Sequence, residues 1–201
     1  MPYPDRFYPV VNSVAWVARL ALLGVRTIQL RAKDLSESDA LQTVTDALEV
    51  IRGTDAKLVV NDYWRAAIEA GAKHLHLGQE DLAAADVGAI RDAGLTLGIS
   101  THDDAELETA LAANPDYVAL GPIFPTTLKS MRFAPQGIPK ITEWKKRVGD
   151  LPLVAIGGIK LEHAPEIFAA GADSIAVVSD VTQNADPDKR VRAWLKLKEA
   201  A

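Results

Sequence analysis

The stretch Ala21-Leu22-Leu23-Gly24-Val25-Arg26-Thr27-Ile28-Gln29-Leu30 holds a helix end, a stop signal and a β-rich run. Gly24 marks the junction, because glycine tolerates the left-handed conformation that ends many helices. The same junction recurs at Gly71, Gly94 and Gly171, each time between a helical pattern and a β-rich run. The repetition predicts a chain built from alternating helices and strands.

Eight β-rich runs alternate strictly with eight segments of helical periodicity. The predicted strands are residues 7–11, 25–30, 57–60, 74–77, 96–100, 117–120, 153–156 and 174–178. The predicted helices are residues 14–23, 38–52, 64–70, 86–93, 105–113, 141–147, 162–169 and 189–198. Eight units of about 25 residues predict an α/β fold, a single (β/α)8 TIM barrel domain over residues 1–201. An open doubly wound sheet is the alternative, but no Gly-x-Gly-x-x-Gly turn follows the first strand.

The composition limits which binding partners and which cellular compartment we expect for this protein. The formal net charge is -5, and no run of lysine and arginine suggests a nucleic-acid surface. The chain has no cysteine, which fits a reducing compartment, and shows no signal peptide or bilayer-spanning stretch. We therefore expect a cytoplasmic protein that acts on small molecules, with no nucleic-acid or membrane partner; a homo-oligomer is compatible with the sequence.

Polar side chains cluster where the second predicted strand ends, at the mouth where barrel active sites lie. Gln29, Arg31 and Lys33 occupy alternate positions, so period-two geometry predicts that they share the inner face while Leu30 packs under the helices. Two cations and an amide aimed at one point predict an anion site. The alternative is that Arg31 and Lys33 pair with acids at the rim.

Carboxylates follow the third and fourth predicted strands. Asn61-Asp62 ends one and Gln79-Glu80-Asp81 follows the other, so Asp62 and Asp81 should meet at the rim. Two carboxylate ligands that leave room for water and phosphate suit Mg²⁺. The alternative is that each aspartate caps a helix. His74 and His76 share a strand face without a third metal ligand in view, and Ser100 is expected to donate a hydrogen bond to substrate.

The last three strands predict a phosphate site and a lid. Residues 121–137 have no periodicity and are too apolar for a solvated insertion, which predicts a functional loop. Gly157-Gly158 ends the seventh strand, and glycines there let a phosphate approach backbone N–H groups. The eighth strand ends near Val178-Ser179.

Five blocks together resemble the thiamin phosphate synthase family across nearly the whole chain. They are Gln29-Leu30-Arg31-Ala32-Lys33, Asn61-Asp62, His76-Leu77-Gly78-Gln79-Glu80-Asp81-Leu82, Gly121-Pro122-Ile123-Phe124-Pro125-Thr126 and Ile156-Gly157-Gly158-Ile159. The resemblance implies a transferase that couples 4-amino-2-methyl-5-(diphosphooxymethyl)pyrimidine with 4-methyl-5-(2-phosphooxyethyl)thiazole, or its carboxylated form. The products would be thiamin phosphate and pyrophosphate.

The resemblance also implies residue roles. The pyrimidine diphosphate would be held by Gln29, Arg31, Lys33, Asn61, Ser100 and Lys129; the thiazole phosphate by Thr126, Thr127, Leu128, Gly158, Val178 and Ser179; and the Mg²⁺ cofactor by Asp62 and Asp81. The family pattern often reads Pro-Thr-x-Thr-Lys, and here Leu128 replaces its second threonine. Either the Thr127 hydroxyl or backbone N–H groups would then serve the phosphate.

Three other functions remain open from the sequence. A thiazole tautomerase of the same superfamily would share the fold but would not need the Asp62 and Asp81 pair. A sugar-phosphate epimerase or aldolase would need an acid–base pair or a Schiff-base lysine inside the barrel, and no lysine lies in mid-strand. A non-catalytic barrel that binds thiamin precursors would differ only in lacking turnover.

Overall fold

The computed structural model describes residues 3–126 and 133–197. Eight parallel strands close into a barrel in sequence order, so the predicted TIM barrel is confirmed and the open sheet is wrong. The strands are β1 Phe7–Val11, β2 Thr27–Leu30, β3 Lys57–Asn61, β4 His74–Leu77, β5 Thr96–Thr101, β6 Tyr117–Leu120, β7 Leu153–Ile156 and β8 Ser174–Val177. β1 pairs with both β2 and β8, which closes the ring.

Helices follow the strands around the outside. They are α1 Val14–Leu22, α2 Glu37–Val50, α3 Trp64–Glu69, α4 Gln79–Ala84, α5 Val87–Asp92, α6 Asp104–Ala112, α7 Gly137–Val148, α8 Ala164–Ala169, α9 Ser179–Thr182 and α10 Pro187–Leu197, with a 3₁₀ turn at Leu161–His163 before α8. The short helices α4 and α9 were not predicted, and α7 begins four residues earlier than expected. No helix within the described ranges is long and apolar enough to cross a bilayer.

The apolar residues form two cores, as a barrel requires. The outer core lies between strands and helices and contains Leu30, which confirms the outward face predicted for that residue. The inner core fills the barrel axis with Tyr8, Val10, Val59, Tyr117, Ala119, Val154 and Ala176. Because side chains alternate along each strand, the inner positions at the carboxyl ends are left to line a site.

Candidate active site

One cavity of about 540 Å³ opens at the carboxyl ends of the strands. It brings together eight residues that the sequence predicted for two different ligands: Gln29, Arg31, Asn61, Ser100, Thr126, Gly158, Val178 and Ser179. Asp62 and Asp81 instead line a neighbouring crevice of about 310 Å³ beside α2 and α3. Thr127, Leu128 and Lys129 lie outside the described residues, so the calls on them stay predictions.

The cationic part of the cavity differs from the prediction at one position. β2 ends at Leu30, so the alternation of a strand does not continue to Lys33, which is exposed and does not line the cavity. The prediction that Lys33 shares the inner face is therefore wrong. Arg31 is half-buried in the cavity wall. Among the described residues no carboxylate lies within 4 Å of either cation, which argues against the alternative that both pair with rim acids.

Asp62 and Asp81 lie beside each other, as the sequence predicted for neighbouring strands. Burial and the adjacent Asp81 raise the pKa of Asp62 to about 6, and the nearby Lys33 only partly opposes this. The N–H of Gly78 donates to Asp62 Oδ1 at 3.4 Å. Asp62 itself has a left-handed backbone, with φ of 66°, a conformation that is uncommon for a residue other than glycine.

The capping alternative for these aspartates is wrong. The N-cap of α3 is Tyr63, without any side-chain cap. The helix predicted at residues 86–93 is capped by Asp86, whose carboxyl accepts the Ala89 N–H at 2.9 Å. Asp81 lies instead in the first turn of α4. Neither carboxylate therefore caps the helix that the sequence predicted for it, although Asp62 Oδ1 accepts the N–H of Gly78 at the start of α4.

The pair fits a divalent cation. Two adjacent carboxyls at a partly buried rim repel each other, and a cation between them would remove the repulsion that raises the pKa of Asp62. Mg²⁺ is commonly held by one or two carboxylates, with water and substrate phosphate completing its shell. Within residues 3–126 and 133–197 no cluster of three or more His, Asp or Glu side chains offers a larger ligand set.

Asn61 supplies an unsatisfied donor at the cavity. Its side chain is 5% exposed, and its Nδ2 has no hydrogen-bond partner among the described residues. A buried amide N–H without a partner is costly, and such groups in native proteins usually have a bound partner. Asn61 ends β3 and lines the cavity, so a ligand acceptor there would satisfy it.

A buried chain of polar groups crosses the barrel axis behind the cavity. Gln29 Nε2 donates to the Tyr8 hydroxyl at 2.8 Å, and that hydroxyl lies 2.8 Å from the hydroxyl of Tyr117. His76 bridges onward, with Nδ1 2.9 Å from the Tyr117 hydroxyl and Nε2 2.7 Å from Ser100 Oγ. His74 lies at the opposite end of β4, with its Nδ1 2.7 Å from Thr96 Oγ1.

Sequence reasoning missed the two tyrosines. Both belong to apolar strand runs, where an aromatic residue is normally read as core. The signal that could have found them is Gly98, which pairs in register with both His76 and Tyr117. A Cβ atom at Gly98 would overlap the Tyr117 ring, so this glycine leaves the space in which that ring stacks on His76.

The turn after β7 is packed against the loop after β6. The N–H of Ile123 donates to Ile156 O, and the N–H of Phe124 donates to Gly157 O, at 2.9 and 3.0 Å. Gly158 has φ of +64°, and a Cβ atom there would lie 2.5 Å from Pro125 O. Glycine is therefore required for close backbone packing as well as for any phosphate contact. The predicted lid function of the loop stays a prediction.

A shallower cavity of about 640 Å³ continues from the first past Thr126, Gly158 and Ser179. Lys160 and Arg190 line it and were not singled out from the sequence. Arg190 donates to both oxygens of Asp180, and its bonds to Glu162 lower the pKa of that exposed carboxyl to about 2. The wall beside the glycine turn and α9 therefore carries two cations, Lys160 and Arg190, and two carboxylates, Glu162 and Asp180.

A closed parallel barrel with a polar cavity at the carboxyl ends of its strands, and a glycine turn after β7, defines a (β/α)8-barrel enzyme. Within that class, the chain belongs to the thiamine monophosphate synthase family, whose sequence profile matches residues 7–181. As a member, it is a transferase of thiamine biosynthesis with a TIM barrel fold.

Relatives of known name cover almost the whole chain. A thiamine-phosphate synthase of Rhizobium etli is 56% identical over 191 residues, which are 95% of this chain and 94% of that protein. The thiamine-phosphate synthase of Escherichia coli K12 is 52% identical over 186 residues, 92% of this chain and 88% of that protein. A solved thiamine phosphate pyrophosphorylase from Pyrococcus furiosus superposes with a TM-score of 0.79 at 28% identity, covering 97% of this chain and 96% of that one.

Proposed function

We propose that this chain joins 4-amino-2-methyl-5-(diphosphooxymethyl)pyrimidine to 4-methyl-5-(2-phosphooxyethyl)thiazole, giving thiamin phosphate and pyrophosphate, with Mg²⁺ as cofactor. The observation that carries the proposal is the cavity of about 540 Å³ at the carboxyl ends of the strands. It is lined on one side by Gln29, Arg31, Asn61 and Ser100, and on the other by Thr126, Gly158, Val178 and Ser179. Two substrates bound to these two sides would have their reacting atoms in one enclosed space.

The pyrimidine diphosphate belongs on the side of β2 to β5. Asn61 offers a buried N–H without a partner, and Arg31 offers a guanidinium with no carboxylate within 4 Å among the described residues. Lys33 stands outside the cavity but close enough to Asp62 to lower its pKa.

Asp62 and Asp81 would hold Mg²⁺, which neutralises negative charge on a departing diphosphate when it is bound there. The cations Arg31 and Lys33 add to that neutralisation from the protein side. Lys129 has the same proposed role from the loop after β6.

The thiazole phosphate belongs on the side of β7 and β8. Gly157 and Gly158 leave their turn without side chains, and α9 begins directly at Ser179, so backbone N–H groups are available to phosphate oxygens. Lys160 lines the adjoining cavity and contributes a positive charge, whereas the charge of Arg190 is paired with Asp180 and Glu162. Backbone donors suit a phosphate whatever side chain stands at Leu128.

The reaction needs little acid–base chemistry. The C–O bond to the diphosphate breaks with its electron pair leaving on oxygen, the aminopyrimidine carries the resulting cation, and the thiazole nitrogen supplies the pair for the new C–N bond. No proton has to move in these steps. The protein contributes positioning, charge for the leaving group and exclusion of water, for which the apolar loop after β6 is suited.

A thiazole tautomerase is the second candidate on this fold, and it has no use for a carboxylate pair. The test incubates purified protein with Mg²⁺ and each substrate alone or both together, and separates the products by chromatography. Thiamin phosphate formed only with both substrates supports the proposal. Isomerised thiazole without coupling would assign the tautomerase, and binding without any turnover would assign a precursor-binding protein. The cytoplasmic location and the homo-oligomer stay predictions, which cell fractionation and sedimentation would test.

A further inference from the structure

The hydrogen bonds between the buried polar groups behind the cavity all run in one donor-to-acceptor direction, which follows from the number of protons that each group carries. Each hydroxyl carries one proton, and a buried hydroxyl proton without an acceptor is costly. Among the described residues the Tyr8 hydroxyl has two partners, Gln29 Nε2 and the Tyr117 hydroxyl. The amide nitrogen can only donate, so Tyr8 must give its proton to Tyr117.

The same reasoning continues along the chain. Tyr117 already accepts from Tyr8, so its own proton goes to Nδ1 of His76. A neutral imidazole with Nδ1 as acceptor carries its proton on Nε2, and that N–H points to Ser100 Oγ. Ser100 then accepts from His76, and its own proton is left for the cavity that it lines.

The charge states agree with this direction. The ring of His76 must be neutral, because a protonated imidazole has no lone pair on Nδ1 to accept the Tyr117 proton. Burial raises the pKa of both Tyr8 and Tyr117 well above the ordinary value for a phenol, so each keeps its proton. No member of the chain is charged at neutral pH.

We propose that Tyr8, Tyr117 and His76 are positioning residues that fix the hydrogen-bonding pattern of the pyrimidine pocket. Through them Gln29 keeps its carbonyl oxygen for the cavity and Ser100 is held as a donor. The pocket is thereby set for a ligand that offers one donor and one acceptor, as an aminopyrimidine does with its amino group and ring nitrogen. The assignment of the ligand rests on the proposed function, whereas the direction of the hydrogen bonds does not.

The direct test is the tautomer of His76, read from ¹⁵N chemical shifts of the histidine rings in the intact protein. The chain contains four histidines, so a His76→Gln variant assigns the signal. We expect the proton on Nε2 in the wild-type protein. A proton on Nδ1 would overturn the proposal.

A Gln29→Glu variant should reverse the donor-to-acceptor direction of these hydrogen bonds. A carboxylate only accepts, so Tyr8 would turn its proton to residue 29, Tyr117 would donate to Tyr8, and His76 would have to donate from Nδ1. We expect the His76 proton to move from Nε2 to Nδ1 at pH 8. An unchanged tautomer in this variant would also overturn the proposal.

Kinetics test the consequence for the substrate. Tyr117→Phe removes the donor to His76, and we expect the KM for the pyrimidine diphosphate to rise about three- to tenfold while the KM for the thiazole phosphate changes less than twofold. Tyr3→Phe is the matched control, because its ring contacts Tyr117 but its hydroxyl is not in the chain. Equal effects on both KM values, or equal effects of the two variants, would refute a positioning role. If the wild-type protein showed no turnover, the proposed function would fail. The tautomer measurements would still test the direction of the hydrogen bonds from Gln29 to Ser100.

Discussion

Asp62 and Asp81 show how two side chains with an ordinary local explanation acquire a functional one. Either could have capped a helix, yet α3 has no side-chain cap and α5 is capped by Asp86. What remains is two carboxyls held side by side at a cost, since burial and Asp81 raise the pKa of Asp62 to about 6. Such a cost is usually kept where a ligand compensates for it.

Asp81→Asn should separate stability from activity. Removing one of two repelling charges should raise the melting temperature in the absence of Mg²⁺ by roughly 2–4 °C, while turnover falls by about 10²-fold or more. Scanning calorimetry with and without Mg²⁺ and a pyrophosphate-release assay measure the two effects. Glu80→Gln is the control, an exposed acid in the same turn of α4 that should change neither. Wild-type activity in Asp81→Asn would remove Asp81 from the metal site.

Arg31→Ala should lower kcat by about 10²-fold, because its charge acts on the leaving group in the transition state. The KM for the thiazole phosphate should change little, since that substrate lies across the cavity. Steady-state kinetics with each substrate varied in turn provide the measurement. Arg52→Ala, at an exposed arginine paired with Glu49, is the control. A raised KM for the thiazole phosphate with unchanged kcat would show that Arg31 binds the thiazole phosphate and not the diphosphate.

The site could be predicted from sequence where a side chain follows directly from a strand end. Gln29, Asn61 and Ser100 all belong to strands and all reach the cavity. Lys33 was misplaced because the period of a strand was extended three residues beyond the end of β2. The buried chain of hydrogen bonds through Tyr8 and Tyr117 was missed because its members lie in five separate strands, and only the closed barrel brings them into contact.

At the level of elements, the turn after β7 depends on the loop after β6. Gly158→Ala should raise the KM for the thiazole phosphate about tenfold or more, because the new methyl group would push on Pro125 O and displace the loop. Gly53→Ala is a matched control, since Gly53 also has positive φ but open space around it. Both variants should lose about 1 kcal/mol of unfolding free energy from the backbone, but only the first should lose substrate binding. Equal kinetics in the two would show that the packing does not support the site.

The order of the elements followed from the sequence because most helix–strand junctions carry a glycine signal; the junction between α6 and β6 has Asn114, also at positive φ, in its place. Three of the repeated junction glycines, Gly24, Gly71 and Gly94, have φ between 73° and 87°. The helix α9 was missed because four residues are too few to show a helical period, and α4 was missed because Gln79, Glu80 and Asp81 were interpreted as polar groups that follow the end of β4. Both follow strand ends at the mouth, where extra turns shape the site more than the core.

At the scale of the whole molecule, stability should depend on pH through His74. Burial lowers its pKa to about 4, helped by Lys57 and opposed by Asp116, while an unfolded histidine titrates near 6.5. Protonation therefore favours the unfolded chain, and the contribution of His74 to the free energy of unfolding should fall as the pH decreases from about 6.5 to about 4; buried His76 contributes over the same range and is present in both proteins that are compared. His74→Phe keeps a ring for Tyr3 to stack on and should show a shallower decrease in urea unfolding across that range. An equal decrease in both proteins would contradict a neutral, buried His74.

The central claim is that one cavity brings two substrates together, and the stoichiometry of the products tests it most directly. Pyrophosphate and thiamin phosphate should be measured in the same reaction of the purified protein with Mg²⁺, with and without the thiazole phosphate. We expect one pyrophosphate for each thiamin phosphate, and almost no pyrophosphate when the thiazole phosphate is omitted. Pyrophosphate released equally fast without the thiazole phosphate would mean that water enters and traps the pyrimidine, which contradicts a closed, shared cavity.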